Sequence, residues 1–473
     1  MKPNKLIVLF GCAVLAACGG GGETQTAGID AGGEPAPNAT VVSKGRISGF
    51  GSVIVNGVRF ETSGATIVID GKPGTEANLS VGQIVTITGT ISEDGTSGTA
   101  NNIAFDDDVQ GPISALDAST GTLVVLGQTV NVTGDTSFDD DISPRSIDGL
   151  NIGDIVEVSG YVRADGTINA TRIELESPDD DFEVTGMVSN LDAATFTFNI
   201  NDLTVDYSAA NLGDFPNGAP ENGQRVEAKG DTLGAAGELL ATEVELEDDA
   251  FGDIDEVELE GLITRFDSAT DFDVAGIPVT TNGSTEFEGG TIANLALNVR
   301  IEVEGSIDSA GVLVAEEIDF EEDGVLRVTS HVEDVQGDQL TLLGITITTS
   351  AKTEYEDDSS LRLRNFGIDD ISVGDYLEVR GFDSAGNFIA TRVERDNDDT
   401  DIELQGFVAT VNDPDFTILG VTIVTNINTE FQDVDDVPIS AADFFAQADG
   451  KLVSVEGTLS NGQLIAEEVE LED

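Results

Sequence analysis

Residues 451–471 read KLVSVEGTLSNGQLIAEEVEL, and the spacing inside this stretch decides the fold. Val453 and Val455 alternate with Ser454 and Glu456, the period of two expected of a half-buried strand. That run stops at Gly457. The returning segment places apolar residues at Leu464 and Ala466, then at Val469 and Leu471. The step of three after Ala466 breaks the period, so a regular strand would turn one half outward. A β-bulge or sharp bend after Ala466 returns both halves to the core. Bends of this kind let a small sheet curl into a barrel.

Working outward, the same pair of strands recurs. Strands end at Gly89, Gly160, Gly230, Gly305, Gly381 and Gly457, with spacings of 71, 70, 75, 76 and 76. Their partners are centred on Ala100, Ala170, Ala241, Ala315, Ala390 and Ala466. An opening strand carries Gly45, Gly111, Gly186, Gly261 or Gly406, and only the fifth unit departs, with Ser330. Between opening and closing strands lies a hairpin, with turns that include Asn56-Gly57, Gly127-Gln128, Asn201-Asp202, Ala275-Gly276, Gly344 and Gly420. Val, Ile and Thr dominate its flanks, as strands favour. Four units then carry Thr-x-aromatic: Thr136/Phe138, Thr285/Phe287, Thr353/Tyr355 and Thr429/Phe431. These rings are read as core plugs rather than ligand-stacking groups.

Each unit therefore holds five strands, with one short segment after the third. In the last unit Ser440 is placed to cap a helix over 441–448. Elsewhere the segment shrinks to a turn, as at 79–82 and 371–374. Five strands with a helix after the third is the order of an OB-fold barrel. A β-solenoid is the rival, but its rungs have about 20–30 residues. The expected fold is all-β: a tandem array of six small five-stranded OB-like barrels. Their limits are 44–108, 109–181, 182–256, 257–323, 324–399 and 400–473. Units this small are marginal alone, so contacts between neighbours are expected to add stability.

The N-terminus reads as an address. Lys2 and Lys5 precede an apolar run from Leu6 to Val14, too short for the roughly 20 residues that span a bilayer. Leu15-Ala16-Ala17-Cys18 resembles the lipobox of bacterial lipoproteins. That resemblance implies cleavage of a 1–17 signal peptide and lipidation of Cys18. Gly19 rather than Asp after the Cys implies sorting to the outer membrane. Residues 18–43, rich in Gly, Ala and Pro after the Cys, read as a flexible tether. With Cys12 removed, Cys18 is the only thiol left, so no disulfide within one chain and no catalytic Cys is expected.

The repeats themselves carry a second resemblance. The Gly-x-[VI] opening, the VEVxG strand and the LxAxxI closing strand resemble the bacterial family called domain of unknown function 5666. The first unit, from Gly49 to Val58, is especially similar to a leading repeat of such lipoproteins. The likeness extends over 44–473 and implies a small β-barrel in an envelope setting. It brings no known activity and no catalytic residues.

Charge and composition narrow the chemistry. The 473 residues include 90 Asp and Glu against 21 Lys and Arg, a formal net charge of −69. Nucleic acid is excluded as a partner, because phosphate backbones are bound through Lys and Arg. With 39% hydrophobic residues the chain can still bury cores. His331 is the only His, where the other units have Arg46, Pro112, Met187, Leu262 and Phe407. Nucleophile–His catalysis and zinc sites lack their residues. Paired carboxylates for glycoside hydrolysis stay open, since so many acids make some pair inevitable.

The acids cluster at the ends of units: Asp106, Asp107 and Asp108; Asp179, Asp180 and Asp181; Glu247 to Asp249; Glu321, Glu322 and Asp323; and 396–399. Such clusters read either as solvated linkers on an acidic surface or as oxygen ligands for a hard cation such as Ca2+. No other cofactor is expected. Three roles fit the chain. One is a non-enzymatic, lipid-anchored envelope protein with a structural, spacer or binding role. Another is a multivalent module holding a polysaccharide, a peptide or Ca2+. The third is an envelope hydrolase working through carboxylates.

Overall fold

The computed structural model describes residues 40–472, apart from 93, 178–180, 214, 248–253, 323 and 461. The sixth repeat shows how the pattern closes. The opening strand Ile402–Asn412 pairs antiparallel with Asp415–Ile418, which turns into Val421–Val424. Val421–Val424 runs parallel to the closing strand Gln463–Leu471. That strand pairs with Leu452–Ser460, which returns to the opening strand. The ring is complete after five strands, in the order one, two, three, five, four, which is the OB arrangement. The helix Ala441–Phe445 follows the third strand, and the Ser440 hydroxyl accepts from the Asp443 amide.

Repeats 1, 2, 4 and 5 close the same ring. Repeat 3 closes it through a broken closing strand, Leu239–Leu240 and Glu243–Leu246. In place of the helix, four repeats carry a short 3-10 turn: Glu76–Asn78, Ile147–Gly149, Ile292–Asn294 and Ile368–Asp370. The hairpins turn on two left-handed residues, as at Leu343 and Gly344 (φ 50° and 74°), the type I′ geometry that matches strand twist. In the second repeat the turning pair is Leu126-Gly127, one residue earlier than Gly127-Gln128.

The bulge read from the sequence is present. Gly457 faces Ala466 while Glu456 faces Glu468, so Glu467 is the extra residue. The same skip follows Ala100, Ala170, Ala315 and Ala390. It also explains why the fourth strand ends in Gly. A Cβ at Gly457 would lie 2.1 Å from the Ile465 carbonyl oxygen, and one at Gly381 would lie 2.0 Å from that of Ile389. Both are far inside van der Waals contact. The Thr of each Thr-x-aromatic motif reaches the same place. Thr136, Thr285, Thr353 and Thr429 donate to the carbonyls of Ala170, Ala315, Ala390 and Ala466. The following ring is thereby held against the core, where Phe138 and Phe431 are buried.

The barrels also pair with one another. Repeats 2 and 3 join through Val109–Asp117 and Phe182–Met187, and repeats 5 and 6 through Leu326–Gln336 and Ile402–Asn412. Repeat 1 pairs instead with repeat 4: Val41 to Lys44 of Thr40–Gly49 run parallel to Glu256 to Leu259 of Glu256–Ser268. Neighbours in space are therefore not only neighbours in sequence. Two assigned limits shift as a result. Residues 40–43, read as the end of the tether, form strand, because Val41 is buried in the core of repeat 1 and the backbone of Val41 to Lys44 pairs with repeat 4. The fourth opening strand begins at Glu256, one residue before its assigned unit.

Buried ion pairs fasten these contacts. Glu354 of repeat 5 is fully buried. It meets Arg46 of repeat 1 at 3.0 Å and Arg392 at 3.5 Å, and accepts from Ser137 of repeat 2 at 3.0 Å. Arg364 stacks its guanidinium 3.7 Å from the centre of the Phe50 ring and donates to the Leu79 carbonyl. Lys352 of repeat 5 reaches Glu302, Asp319 and Glu321 of repeat 4 at 2.6–2.7 Å. All six barrels are thus linked, directly or in series.

Candidate functional site

Alternate residues of an outer strand should face water, but here docking covers many of them. Glu157, Glu183, Glu227, Glu256, Glu258 and Glu302 are all buried. One row of such positions crosses repeats 2 and 3. Glu174 lies opposite Glu157, Glu157 opposite Gln110, Gln110 opposite Glu183, and Glu183 opposite Lys229. Repeat 1 settles over this row. Arg172 donates to the Val81 carbonyl, Gln83 donates to Glu174, and the Ile84 amide donates to the Ser159 hydroxyl.

Docking brings two more carboxylates onto the row. Asp70 and Gly71 form the turn (φ 47° and 71°) between Thr66–Ile69 and Lys72–Pro73, and the Asp70 amide donates to the Phe105 carbonyl. Asp107 stands between the last strand of repeat 1 and the first of repeat 2. Its neighbour Asp108 is anchored: its carboxylate accepts from the Gly160 amide at 2.8 Å, and its own amide donates to the Val158 carbonyl. Asp107 is thereby turned inward and is only 4% exposed. One oxygen from each of Asp70, Asp107 and Glu157 falls within 4.8 Å of the other two.

Asp107 and Asp70 differ from the acids around them. Glu174 is paired with Arg172 at 2.9 Å, and Glu183 with Lys229 at 2.7 Å. Among the described residues, neither oxygen of Asp107 has a hydrogen-bond partner, nor does Oδ1 of Asp70. Burial, then the charges of Glu157 and Asp70, push the Asp107 carboxyl well above the usual range. Burial and Glu174 push Glu157 up in the same sense. Burial and Glu183 lift Asp70 to about 6 against the pull of Lys229. Asp70 and Glu157 line a polar hollow of about 380 Å³ that also touches Gln110, Glu176 and Asp181, with the exposed Lys72 at its edge.

The acids singled out from sequence fall in different places. Asp107 belongs to the cluster, and Asp181 lines the hollow beside it. Asp106 is exposed. Glu321 is taken up by Lys352, and the exposed Glu322 accepts from Arg300 through its backbone. Asp179, Asp180, Asp323 and Cys18 lie outside the described residues. At the first junction Asp106 is exposed, as a solvated linker would have it, whereas Asp107 is buried. Asp70 and Glu157 escaped sequence reading: one is a turn residue and the other an outward strand position. His331 meets Asp398 at 2.7 Å and its ring lies 5.3 Å from that of Tyr376, a surface contact. A larger hollow of about 610 Å³ on repeat 6 is lined by Ile427, Phe431 and Ile439 and gathers no comparable group of acids.

Fold and repetition define a tandem OB-like, all-β protein. The chain belongs to the family described as Domain of unknown function (DUF5666), which matches residues 41–104, 110–174, 185–245, 260–319, 328–394 and 405–470. No curated protein matches it. Among solved structures it is similar to drosophila Unr CSD456, with 15% identity over 46% of this chain and 98% of that one. The TM-score of 0.13 is too low to carry any inference.

Proposed function

We propose that this chain is a non-enzymatic lipoprotein of the bacterial cell envelope with a structural or binding role, held at the outer membrane through Cys18. One observation supports the structural part. The barrels direct strand edges and charged faces at one another, as in the Arg46–Glu354–Arg392 contact and the parallel pairing of repeats 1 and 4. Such a body serves as a spacer or platform, not as a row of separately exposed binding faces. The lipobox-like Leu15-Ala16-Ala17-Cys18 supports the anchor, and the net charge of −69 argues against nucleic acid as a partner. An envelope protein or polysaccharide is the partner this setting offers.

Membrane fractionation of a Gram-negative host tests the anchor. The unaltered chain should sediment with outer membranes and take up labelled palmitate. Cys18→Ala should leave both properties behind. A Cys18→Ala chain that still sediments with membranes would overturn the anchoring. A cation-binding role is favoured by the Asp70, Asp107 and Glu157 cluster.

A further inference from the structure

We infer that Asp70, Asp107 and Glu157 form a site for one divalent cation of the Ca2+ class, which clamps repeat 1 onto repeat 2. The inference rests on local geometry and is independent of the envelope reading.

Asp107 carries the argument. A buried carboxylate normally finds hydrogen bonds or a counter-charge, because leaving it without either is costly. Among the described residues Asp107 has no hydrogen-bond partner on either oxygen, and its near neighbours are two more carboxylates. Two nearby basic groups are already engaged, Lys229 with Glu183 and Glu227 at 2.7 and 2.9 Å and Arg172 with Glu174, and Lys72 stays exposed at the edge of the hollow.

The donor set selects the ion. All three ligands are oxygens, which suit hard cations, whereas zinc prefers nitrogen and sulfur. Their mutual separations, within 4.8 Å, match oxygens around an ion at about 2.4 Å per bond. Gln110 donates its Nε2 to the Asp181 carbonyl at 2.6 Å, so its Oε1 remains as a neutral acceptor at the same hollow. The 380 Å³ hollow gives access from solvent and room for water ligands. Asp139 and Asp181, which also line the hollow, add to its negative charge and draw cations there. Asp70 belongs to repeat 1, Glu157 to repeat 2 and Asp107 to the join, so a bound ion ties the two barrels together.

The test is titration of CaCl2 or MgCl2 into the purified, chelator-treated full chain at fixed ionic strength. It is read by calorimetry and by the melting temperature. One saturable Ca2+ site is expected, with a Kd on the order of 10⁻⁴–10⁻³ M. Ca2+ at several times that concentration should raise the melting temperature more than Mg2+ does. Asp107→Asn should abolish the Ca2+ response while melting no lower than the metal-free parent, since it removes an unpaired buried charge. Asp70→Asn and Glu157→Gln should each weaken Ca2+ binding at least tenfold. Equal shifts with both ions, no saturable heat, or a Ca2+ response unchanged in Asp70→Asn and Glu157→Gln would each overturn the proposal. The last holds even if Asp107→Asn fails to fold.

Discussion

The Thr429 hydroxyl donates to the Ala466 carbonyl at 2.8 Å, and also accepts from the Asn426 amide at 2.9 Å. One side chain thus ties the loop before the fifth-strand contact to the bulge that lets the barrel close. Thr429→Val keeps the shape and removes both bonds. It should lower stability by about 1–3 kcal/mol, because the bulge carbonyl then loses a partner. Urea melts of the single variant and of Thr353→Val should agree in size, since Thr353 makes the same contacts with Ala390 and Ser350.

The end of the fourth strand is a steric requirement. Gly457→Ala would set a methyl 2.1 Å from the Ile465 oxygen, against rigid backbone. A loss of roughly 1–3 kcal/mol or more is expected. Gly450→Ala is the informative comparison. Gly450 has a φ of 71° but nothing within reach of an added Cβ, so it should cost only the backbone strain, about 1–2 kcal/mol. Equal losses in the two variants would show that crowding at the bulge does not matter.

Glu354 is the most exacting point of the inter-repeat contacts. Glu354→Leu leaves Arg46 and Arg392 facing one another without their shared anion. Breaking a buried pair this way costs about 3–5 kcal/mol. Limited proteolysis should then release fragments containing repeats 5 and 6, under conditions where the parent stays intact.

Acidity also has a direction. Burial, only partly opposed by Lys352, lifts Glu302 to about 8. Burial with Glu317 lifts Glu304 to about 7, and burial with Glu304 lifts Glu256 to about 7. Groups raised in the folded state bind more protons there than when unfolded. Their contribution is full below about 4.5 and is lost as pH rises through 7 to 8. Asp357 works oppositely. Burial raises it, but hydrogen bonds from Arg395 and Ser359 outweigh that and hold it at about 2. Its contribution is lost as pH falls below its ordinary 3.8. Chelator-treated protein should therefore melt highest at about pH 4–4.5 and progressively lower towards pH 8.5. A melting temperature that rose steadily from pH 5 to 8.5 would contradict this.

The barrel was legible because its closure is local. The step of three after Ala466, the Gly before it and the Thr-x-aromatic motif all act within one repeat, so each leaves a mark at fixed spacing. The candidate site is not local. Asp107 stood out as one of three consecutive acids, but nothing separated it from Asp106 until Asp108 was seen to bond Gly160 and turn its neighbour inward. Asp70 reads as an ordinary Asp-Gly turn. Glu157 occupies a strand position that faces water in any single barrel. Their meeting depends on how two barrels dock, which no period along the chain records.

The parallel pairing of Val41 with Glu256 sets an order of events. During synthesis the opening strand of repeat 1 emerges first, while its edge partner lies 215 residues further on, as the bond from the Thr40 amide to Asp255 measures. At 5–20 residues per second that interval is about 10–40 s. For the later part of that time, once the last strand of repeat 1, Ser97–Phe105, has emerged, a complete barrel carries one open, hydrogen-bonding edge, the kind that recruits stray strands. The nascent chain is most vulnerable to mispairing after repeat 1 has closed and before repeat 4 arrives, so truncations ending between those repeats should be the ones that aggregate.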